Sequence, residues 1–148
     1  MRNVLVENDL VRLFCESHEC GQFDERLPHE SAGDTVVREM SFRYGRADLV
    51  LFHVDGSATV VEAKDGSRGY THVVAGIGQA GLYATQLAMS KGAIKKVRRA
   101  LLWSSTGDAM LDALIEESCL QAGVVPVPWP SMRVLQETTL ATIAEMAG

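Results

Sequence analysis

The chain of 148 residues is 47% hydrophobic and 22% charged, with a net charge of −5 at neutral pH. This composition is typical of an ordinary globular protein and predicts one domain over residues 1–148, with a sizeable core. The acidic balance lacks the overall basic footprint of many nucleic-acid binders, although a local basic patch can serve instead. No apolar run is long enough for a membrane span, and three cysteines do not suggest a disulfide framework. The expectation is a cytoplasmic protein with no membrane partner.

The hydrophobic pattern predicts elements in the order α-β-β-β-α-β-α-β-α, with a polar loop over residues 21–35. The elements are a helix over 3–20, strands over 36–44, 47–54 and 58–64, a helix over about 73–90, a strand over 97–104, a helix over 108–121, a strand over 124–127 and a final helix over 134–146. An antiparallel meander followed by β-α-β crossovers implies an α/β fold with a mixed central sheet and helices on both faces.

The second and third predicted strands form a nearly continuous apolar hairpin that nevertheless carries Asp48, Glu62 and Lys64. Whether the two acids converge depends on the turn. A two-residue loop, Asp55-Gly56, places Asp48 opposite Ala63 and the carboxylates on opposite faces of the sheet. A three-residue loop, Asp55-Gly56-Ser57, places Asp48 opposite Lys64 and all three charged groups on one face. The sequence permits both, and a functional site requires an odd-length loop or a compensating bulge.

Two carboxylates that converge in a buried hairpin repel each other and need a cation or a proton between them. A hard cation such as Mg²⁺ takes oxygen ligands, which Asp48, Glu62 and the Ala63 carbonyl could supply. Lys64 could stabilise developing negative charge or orient a water. This is the equipment for metal-assisted hydrolysis of a phosphodiester. The alternative is an Asp at a strand start and a solvated Glu/Lys pair at a strand end.

Two helices carry further polar residues at positions that point toward this hairpin. Glu7 lies on the apolar stripe of the first helix, so its carboxylate needs a partner. It could be a third metal ligand, direct or through water. Alternatively, it is simply a glutamate that the helix dipole favours near a helix N-terminus. In the later helix Gln79 and Tyr83 are four residues apart and face the same way. Glycines surround this pair and permit close backbone approach at a cost in helix propensity: Gly76, Gly78 and Gly81.

With these features together, the chain resembles the PD-(D/E)XK nucleases of restriction-endonuclease-like fold. The matching features are Glu7, the segment Gly45-Arg46-Ala47-Asp48, the segment Glu62-Ala63-Lys64, and the helix bearing Gln79 and Tyr83. The α-β-β-β-α-β order matches the family core, and the resemblance covers about residues 3–127. Ala47 replaces the proline of the family name. The subgroups most similar are small Holliday-junction resolvases and virus-type replication-repair nucleases.

The resemblance implies a DNA endonuclease that depends on Mg²⁺ or Mn²⁺ and cuts junctions or flaps rather than long specific sequences. Asp48 and Glu62, with the Ala63 carbonyl, would bind the metal; Lys64 would be catalytic, with Glu7 and Gln79 assisting. Arg46, Arg68 and Tyr83 would contact substrate. A homodimer and a replication or repair partner protein are further expectations. The alternative is a catalytically inactive module on the same fold that binds nucleic acid or protein.

Two other signals have simpler explanations. The segment 91–99 carries five basic residues and could grip phosphates, but charged residues are also common in turns and at helix C-termini. Cys15, His18 and Cys20 do not converge on one ion at helical spacing, so we predict a small buried Cys15 rather than a zinc site.

Overall fold

The computed structural model describes residues 2–19, 34–90, 92, 94, 96–129 and 145–146. Its elements are α1 (Arg2–Glu19), β1 (Thr35–Phe42), β2 (Gly45–Phe52), β3 (Ala58–Lys64), a 3₁₀ turn (Gly66–Arg68), α2 (Tyr70–Met89), β4 (Val97–Trp103), α3 (Ala109–Gln121) and β5 (Val125–Pro128). The predicted order is confirmed for the first eight helices and strands, and α2 begins three residues earlier than expected. The predicted loop over 21–35 lies mostly outside the described residues, as does the final helix over 134–146 except for residues 145 and 146.

The strands form one mixed sheet in the order β1-β2-β3-β4-β5. β1, β2 and β3 are antiparallel neighbours, whereas β3, β4 and β5 run parallel and are joined through α2 and α3. This confirms the predicted α/β class with a mixed central sheet. None of the helices in the described ranges has the length and apolarity that crossing a membrane would require.

Helices cover both faces of the sheet, because both faces of the central strands are apolar. On one face α1 packs with Leu10 and Phe14 against Leu49 and Leu102, and the Phe14 ring meets the edge of the Trp129 ring at 5.5 Å between centroids. On the other face α2 lies across β1 to β4, and α3 packs beside α2 and against β5. The start of β2 and the end of β3, which carry the charged residues, therefore lie between helices and close to the apolar core.

The β2–β3 turn has three residues, but they are not the three that the sequence predicts. The ladder runs to Phe52–Ala58, and the His53 N–H donates to the Ser57 carbonyl at 2.8 Å, which leaves Val54, Asp55 and Gly56 as the loop. Gly56 has a φ of 89°, the left-handed conformation that such a loop requires. The two pairings of Asp48 considered from the sequence are therefore both wrong. The loop nevertheless has the odd length that a functional site requires.

The physical reason for this shift is the His53 side chain. Its ring is buried and contacts Asp34 Oδ2 through Nδ1 at 2.9 Å and Thr59 Oγ1 through Nε2 at 2.7 Å. These two contacts hold His53 inside the hairpin, so the chain turns one residue earlier and Val54 is 64% exposed. With this register Asp48 stands opposite Glu62, one step beyond the last paired residues.

The regular alternation of β2 breaks at Asp48. Leu49 packs with α1 on one face, but Ala47 packs with Val50 on the α2 face, where strict alternation would separate them. In the β1–β2 ladder the pair that would join Glu39 to Asp48 is skipped, and Glu39 has a φ of 55°. A left-handed residue in a strand redirects the chain, so the side chains of β2 do not keep a strict alternation through Asp48.

Gly76 in α2 allows the helix to lie directly on the end of β3. A Cβ at this position would come within 2.9 Å of Lys64 Cγ and 2.6 Å of Leu101 Cδ1. A Cβ at Gly78, two residues further along the same helix, would meet nothing within 4 Å. The close approach predicted for the glycine-rich helix is therefore specific to Gly76, and it determines where the aliphatic part of Lys64 lies.

We expect Gly76→Ala to destabilise the fold by about 1–3 kcal/mol, because the new methyl group overpacks a filled contact. Gly78→Ala is the matched control in the same helix and should be neutral or raise stability by up to about 1 kcal/mol, since alanine favours the helix. Urea denaturation of both variants tests this. Equal effects of the two substitutions would contradict the role assigned to Gly76.

Candidate functional site

Asp48 exchanges hydrogen bonds with Glu62 and Ala63 across the end of the β2–β3 ladder. The Asp48 N–H donates to Glu62 Oε1 at 3.1 Å, and the Ala63 N–H donates to Asp48 Oδ2 at 2.8 Å. Side-chain oxygens thus replace the carbonyls that would accept these bonds in a regular ladder. The sequence left open whether the two acids converge, and in this geometry they do.

Burial makes this pair electrostatically unfavourable while both groups are charged. Glu62 is only 4% exposed. This burial, followed by the charge of Asp48, raises the pKa of Glu62 to about 8. Burial also raises the pKa of Asp48, although its bond from Ala63 and the nearby charge of Lys64 oppose the shift. Without a cation, the pair therefore retains a proton near neutral pH.

Lys64 supplies a positive charge near Asp48 and Glu62. It ends β3 two residues after Glu62, is half-buried, and its positive charge lowers the pKa of both carboxyl groups. Its stem is confined between the sheet and Gly76 of α2, as described above. Packing therefore fixes the lysine stem, and the ammonium charge is near enough to act on both acids, which is what a catalytic lysine would need.

Glu7 connects α1 to the chain that follows β3. Its Oε1 accepts a hydrogen bond from the Asp65 N–H at 3.2 Å, contacts His72 Nε2 and lies 3.9 Å from Arg68 Nη1. The partner that the sequence demanded for this carboxylate is thus a backbone N–H together with the start of α2. Glu7 also lies near enough to Asp48 that its negative charge contributes to raising the pKa of Asp48.

A polar cavity of about 240 Å³ opens beside Asp48. Its lining combines three carboxylates with one guanidinium and includes the predicted residues Glu7, Arg46, Asp48 and Ala63 together with Asn8, Val11 and Glu39. Sequence reasoning missed Glu39 and Asn8, because an exposed acid in a strand and an asparagine in a helix are both commonplace. For Glu39, its place opposite Asp48 becomes visible only when the β1–β2 register is known.

Asp65 is a further residue that the sequence did not single out. Its carboxylate is 2% exposed and accepts hydrogen bonds from the N–H and hydroxyl of Ser67, at 2.9 and 2.8 Å. The Ser104 hydroxyl approaches it at 3.3 Å and accepts the Gly66 N–H. Asp65 therefore fixes the turn that carries the chain from Lys64 to α2, and its signal was an Asp directly before a Gly-Ser turn.

The remaining predicted residues lie around this centre with different surroundings. Gln79 Oε1 is buried and accepts no hydrogen bond from the described residues. The Tyr83 ring stacks on Phe42 at 6.0 Å between centroids and covers Gly45, so its described contacts are those of packing. Arg68 is 40% exposed beside Glu7.

The features set aside at the sequence level lie elsewhere in the fold. In the basic segment, Arg98 donates to the Ser57 hydroxyl at 2.8 Å and Arg99 packs between Gly81 and Gly123, while residues 91, 93 and 95 lie outside the described residues. Cys15 is buried in the core, as predicted. A larger cavity of about 410 Å³ lies between α3 and β5 and is mainly apolar, without the acids discussed above.

The donor set of Asp48, Glu62 and the Ala63 carbonyl fits a hard divalent cation. Within the described ranges no three His, Cys, Asp or Glu side chains are arranged to enclose an ion. Two carboxylates are nevertheless what Mg²⁺ commonly uses, because it keeps several waters or substrate oxygens as its other ligands. The charge repulsion between Asp48 and Glu62, which otherwise requires a proton, is the observation that supports this fit.

The raised pKa of Glu62 predicts how the stability of the chelator-treated protein depends on pH. The folded state binds the proton more tightly than the unfolded chain, so the free energy of unfolding should fall as pH rises from about 4.5 to about 8. Glu62→Gln should flatten this slope, since glutamine cannot lose a proton. Urea denaturation in EDTA across this range measures it.

The exposed Glu117 on α3 offers a matched control, because Glu117→Gln changes the same group far from the pair. This control should keep the wild-type slope. If Glu62→Gln also keeps it, the proton is not held at Glu62 and the electrostatic description of the pair is wrong.

Comparison with known proteins adds little to this description. No family model and no curated protein matches the chain. Among solved structures it is similar to the crystal structure of a repair endonuclease from Pyrococcus abyssi, with a TM-score of 0.46 and 21% sequence identity. The match covers 65% of this chain and only 38% of that protein. A likeness at this level leaves the activity to be argued from the site itself.

Proposed function

We propose that this protein is a divalent-cation-dependent nuclease that hydrolyses phosphodiester bonds in DNA. The observation that carries the proposal is the buried pair Asp48 and Glu62, hydrogen-bonded across two strands, with Lys64 packed beside it. Placing the buried Glu62 next to the half-buried Asp48 and Lys64 is costly unless the group is used. A polar cavity lined by Asp48 and Ala63 offers a substrate a route to Asp48.

In this proposal Asp48, Glu62 and the Ala63 carbonyl hold Mg²⁺ or Mn²⁺. When bound, the cation supplies positive charge beside the scissile phosphate and makes a nearby water a stronger nucleophile. Lys64 stabilises the negative charge that grows on the phosphate and orients the attacking water. Glu7 fixes the turn after β3 and adds negative charge to the cavity wall. Gln79, whose Oε1 is buried, would line the site from α2.

The groups available for the substrate suit a phosphate backbone. Arg46 lines the cavity beside Asp48, and Arg68 lies exposed next to Glu7. Guanidinium groups bind phosphate oxygens through paired N–H donors. A chain of this size offers little surface for reading a long sequence, so we infer that the enzyme recognises the structure of its substrate, such as a flap or a junction. Action as a homodimer would place two such sites for paired cuts.

A divalent cation should stabilise the protein if the pair binds it. We expect Mg²⁺ or Mn²⁺ to raise the midpoint of thermal unfolding of the wild type, because a ligand that binds only the folded state stabilises it. Asp48→Asn should abolish this shift, whereas Asp9→Asn, at an exposed position of α1, should keep it. A shift that survives Asp48→Asn would place the cation elsewhere.

The activity is tested by incubating the protein with Mg²⁺ or Mn²⁺ and a panel of linear, flapped, branched and four-way DNA. Lys64→Ala and Asp48→Asn should each lower the cleavage rate about a hundredfold or more, because each removes a group that stabilises the transition state. Lys96→Ala, at an exposed lysine before β4, should leave the rate unchanged.

The controls separate an enzyme from a binding module on the same fold. Cleavage that survives both Lys64→Ala and Asp48→Asn would mean that the site is misassigned. If the wild type cleaves nothing in the panel, the nuclease proposal fails and the alternative of a non-catalytic module takes its place.

A further inference from the structure

We propose that the turn between β1 and β2 is a stacking site for an unpaired nucleobase, with Tyr44 as its platform. The inference rests on the proposed function for the identity of the partner, and it specifies the substrate as DNA with a single-stranded portion next to the site. Tyr44 is 63% exposed at the tip of the turn. The guanidinium of Arg43 lies over its ring at 5.4 Å from the centroid.

The backbone of Tyr44 is held firmly, although its side chain faces solvent. The Gln86 carboxamide makes two hydrogen bonds to it: Oε1 accepts from the Tyr44 N–H and Nε2 donates to the Tyr44 carbonyl, both at 3.0 Å. The next residue, Gly45, has a φ of 110° and lies under the Tyr83 ring, where a Cβ would come within 2.5 Å of that ring. Two residues of α2 thus fix the tip of the turn.

This rigid mounting matters because an aromatic ring that is already ordered loses little entropy when it binds a flat partner. A merely solvated turn does not need a two-bond clamp from a helix 42 residues further along the chain. Tyr44 therefore presents its exposed ring from a fixed backbone position, with the guanidinium of Arg43 against it.

The same strand leads from the turn directly to the candidate active site. β2 begins at Gly45, Arg46 lines the cavity, and Asp48 belongs to the acidic pair. Residues 44 and 48 lie about 13 Å apart along an extended strand. A DNA strand whose phosphate occupies the cavity therefore needs to extend only a few nucleotides along β2 to reach the Tyr44 ring.

The charges of this hairpin suit a nucleic-acid strand. Its exposed charged residues from the start of β1 to Arg46 are three arginines and one glutamate: Arg38, Arg43, Arg46 and Glu39. Stacking on an exposed ring requires a base whose faces are free, as in a single strand or a flap, whereas a continuous duplex keeps its bases stacked inside. The combination of ring and arginines thus favours an unpaired strand.

Binding is measured in the Asp48→Asn background, which the proposed function makes unable to cleave. The ligands are a labelled single-stranded oligonucleotide, a flapped duplex and a blunt duplex. Adding Tyr44→Ala should weaken binding of the first two about 5- to 100-fold, the range that losing one stacked base gives. Binding of the blunt duplex should stay unchanged. Tyr44→Trp should retain the affinity, because tryptophan also stacks.

A base analogue whose fluorescence is quenched by stacking gives an independent signal. The quenching on binding should appear with Tyr44 or tryptophan at this position and vanish with Tyr44→Ala. Leu114→Ala is the control for loss of a large exposed side chain, since Leu114 is 55% exposed on α3 at the opposite side of the sheet. It should alter neither affinity nor quenching.

Each outcome decides one hypothesis. Binding of every ligand that Tyr44→Ala leaves unchanged, or an equal loss for blunt and flapped DNA, overturns the stacking site, while the proposed nuclease is judged separately by wild-type cleavage. Selective loss of single-strand binding together with no cleavage by the wild type overturns the nuclease and supports the stacking site. Absence of any DNA binding overturns the stacking site, and Tyr44 would then suit a protein partner.

Discussion

The interaction on which the rest of the site depends is the exchange of hydrogen bonds between Asp48 and the Glu62–Ala63 segment. It joins β2 to β3 where their regular ladder has ended, and it uses carboxylate oxygens in place of carbonyls. A strand pair joined in this way brings the carboxylate of Asp48 next to that of Glu62, which is only 4% exposed. The fold therefore contains a site whose charge is balanced only by a proton or by a bound cation.

Several contacts away from this pair determine where it lies. The three-residue turn fixes the register of β2 against β3, and the left-handed backbone of Glu39 coincides with the point where Asp48 leaves the regular alternation. From the helices, Gly76 lets α2 press on Lys64, and Glu7 ties α1 to the turn after β3. Each contact is structural, yet together they bring an acid pair, a lysine and a polar cavity to one end of the sheet.

The sequence was sufficient to predict the order of elements and the members of the acidic pair, because hydrophobic alternation makes a charge in a buried strand conspicuous. It could not predict the register, which depends on the His53 contacts with Asp34 and Thr59 and so on tertiary structure. The one-residue shift changes the partner of Asp48 from Lys64 to Glu62. Glu39 gave no local signal at all, because its importance comes from the strand that pairs with it.

The acidic net charge, which argued against DNA at first, is distributed unevenly over the fold. α3 and its cap hold four acids and no basic residue: Asp108, Asp112, Glu116 and Glu117. This helix packs near β4 and β5, whereas three exposed arginines lie on the β1–β2 hairpin at the other edge of the sheet. A polyanion meets the field of the surface that it approaches rather than the net charge of the chain. For the proposed nuclease, this charge asymmetry would favour the approach of DNA to the β1–β2 hairpin, which carries Asp48 and Tyr44.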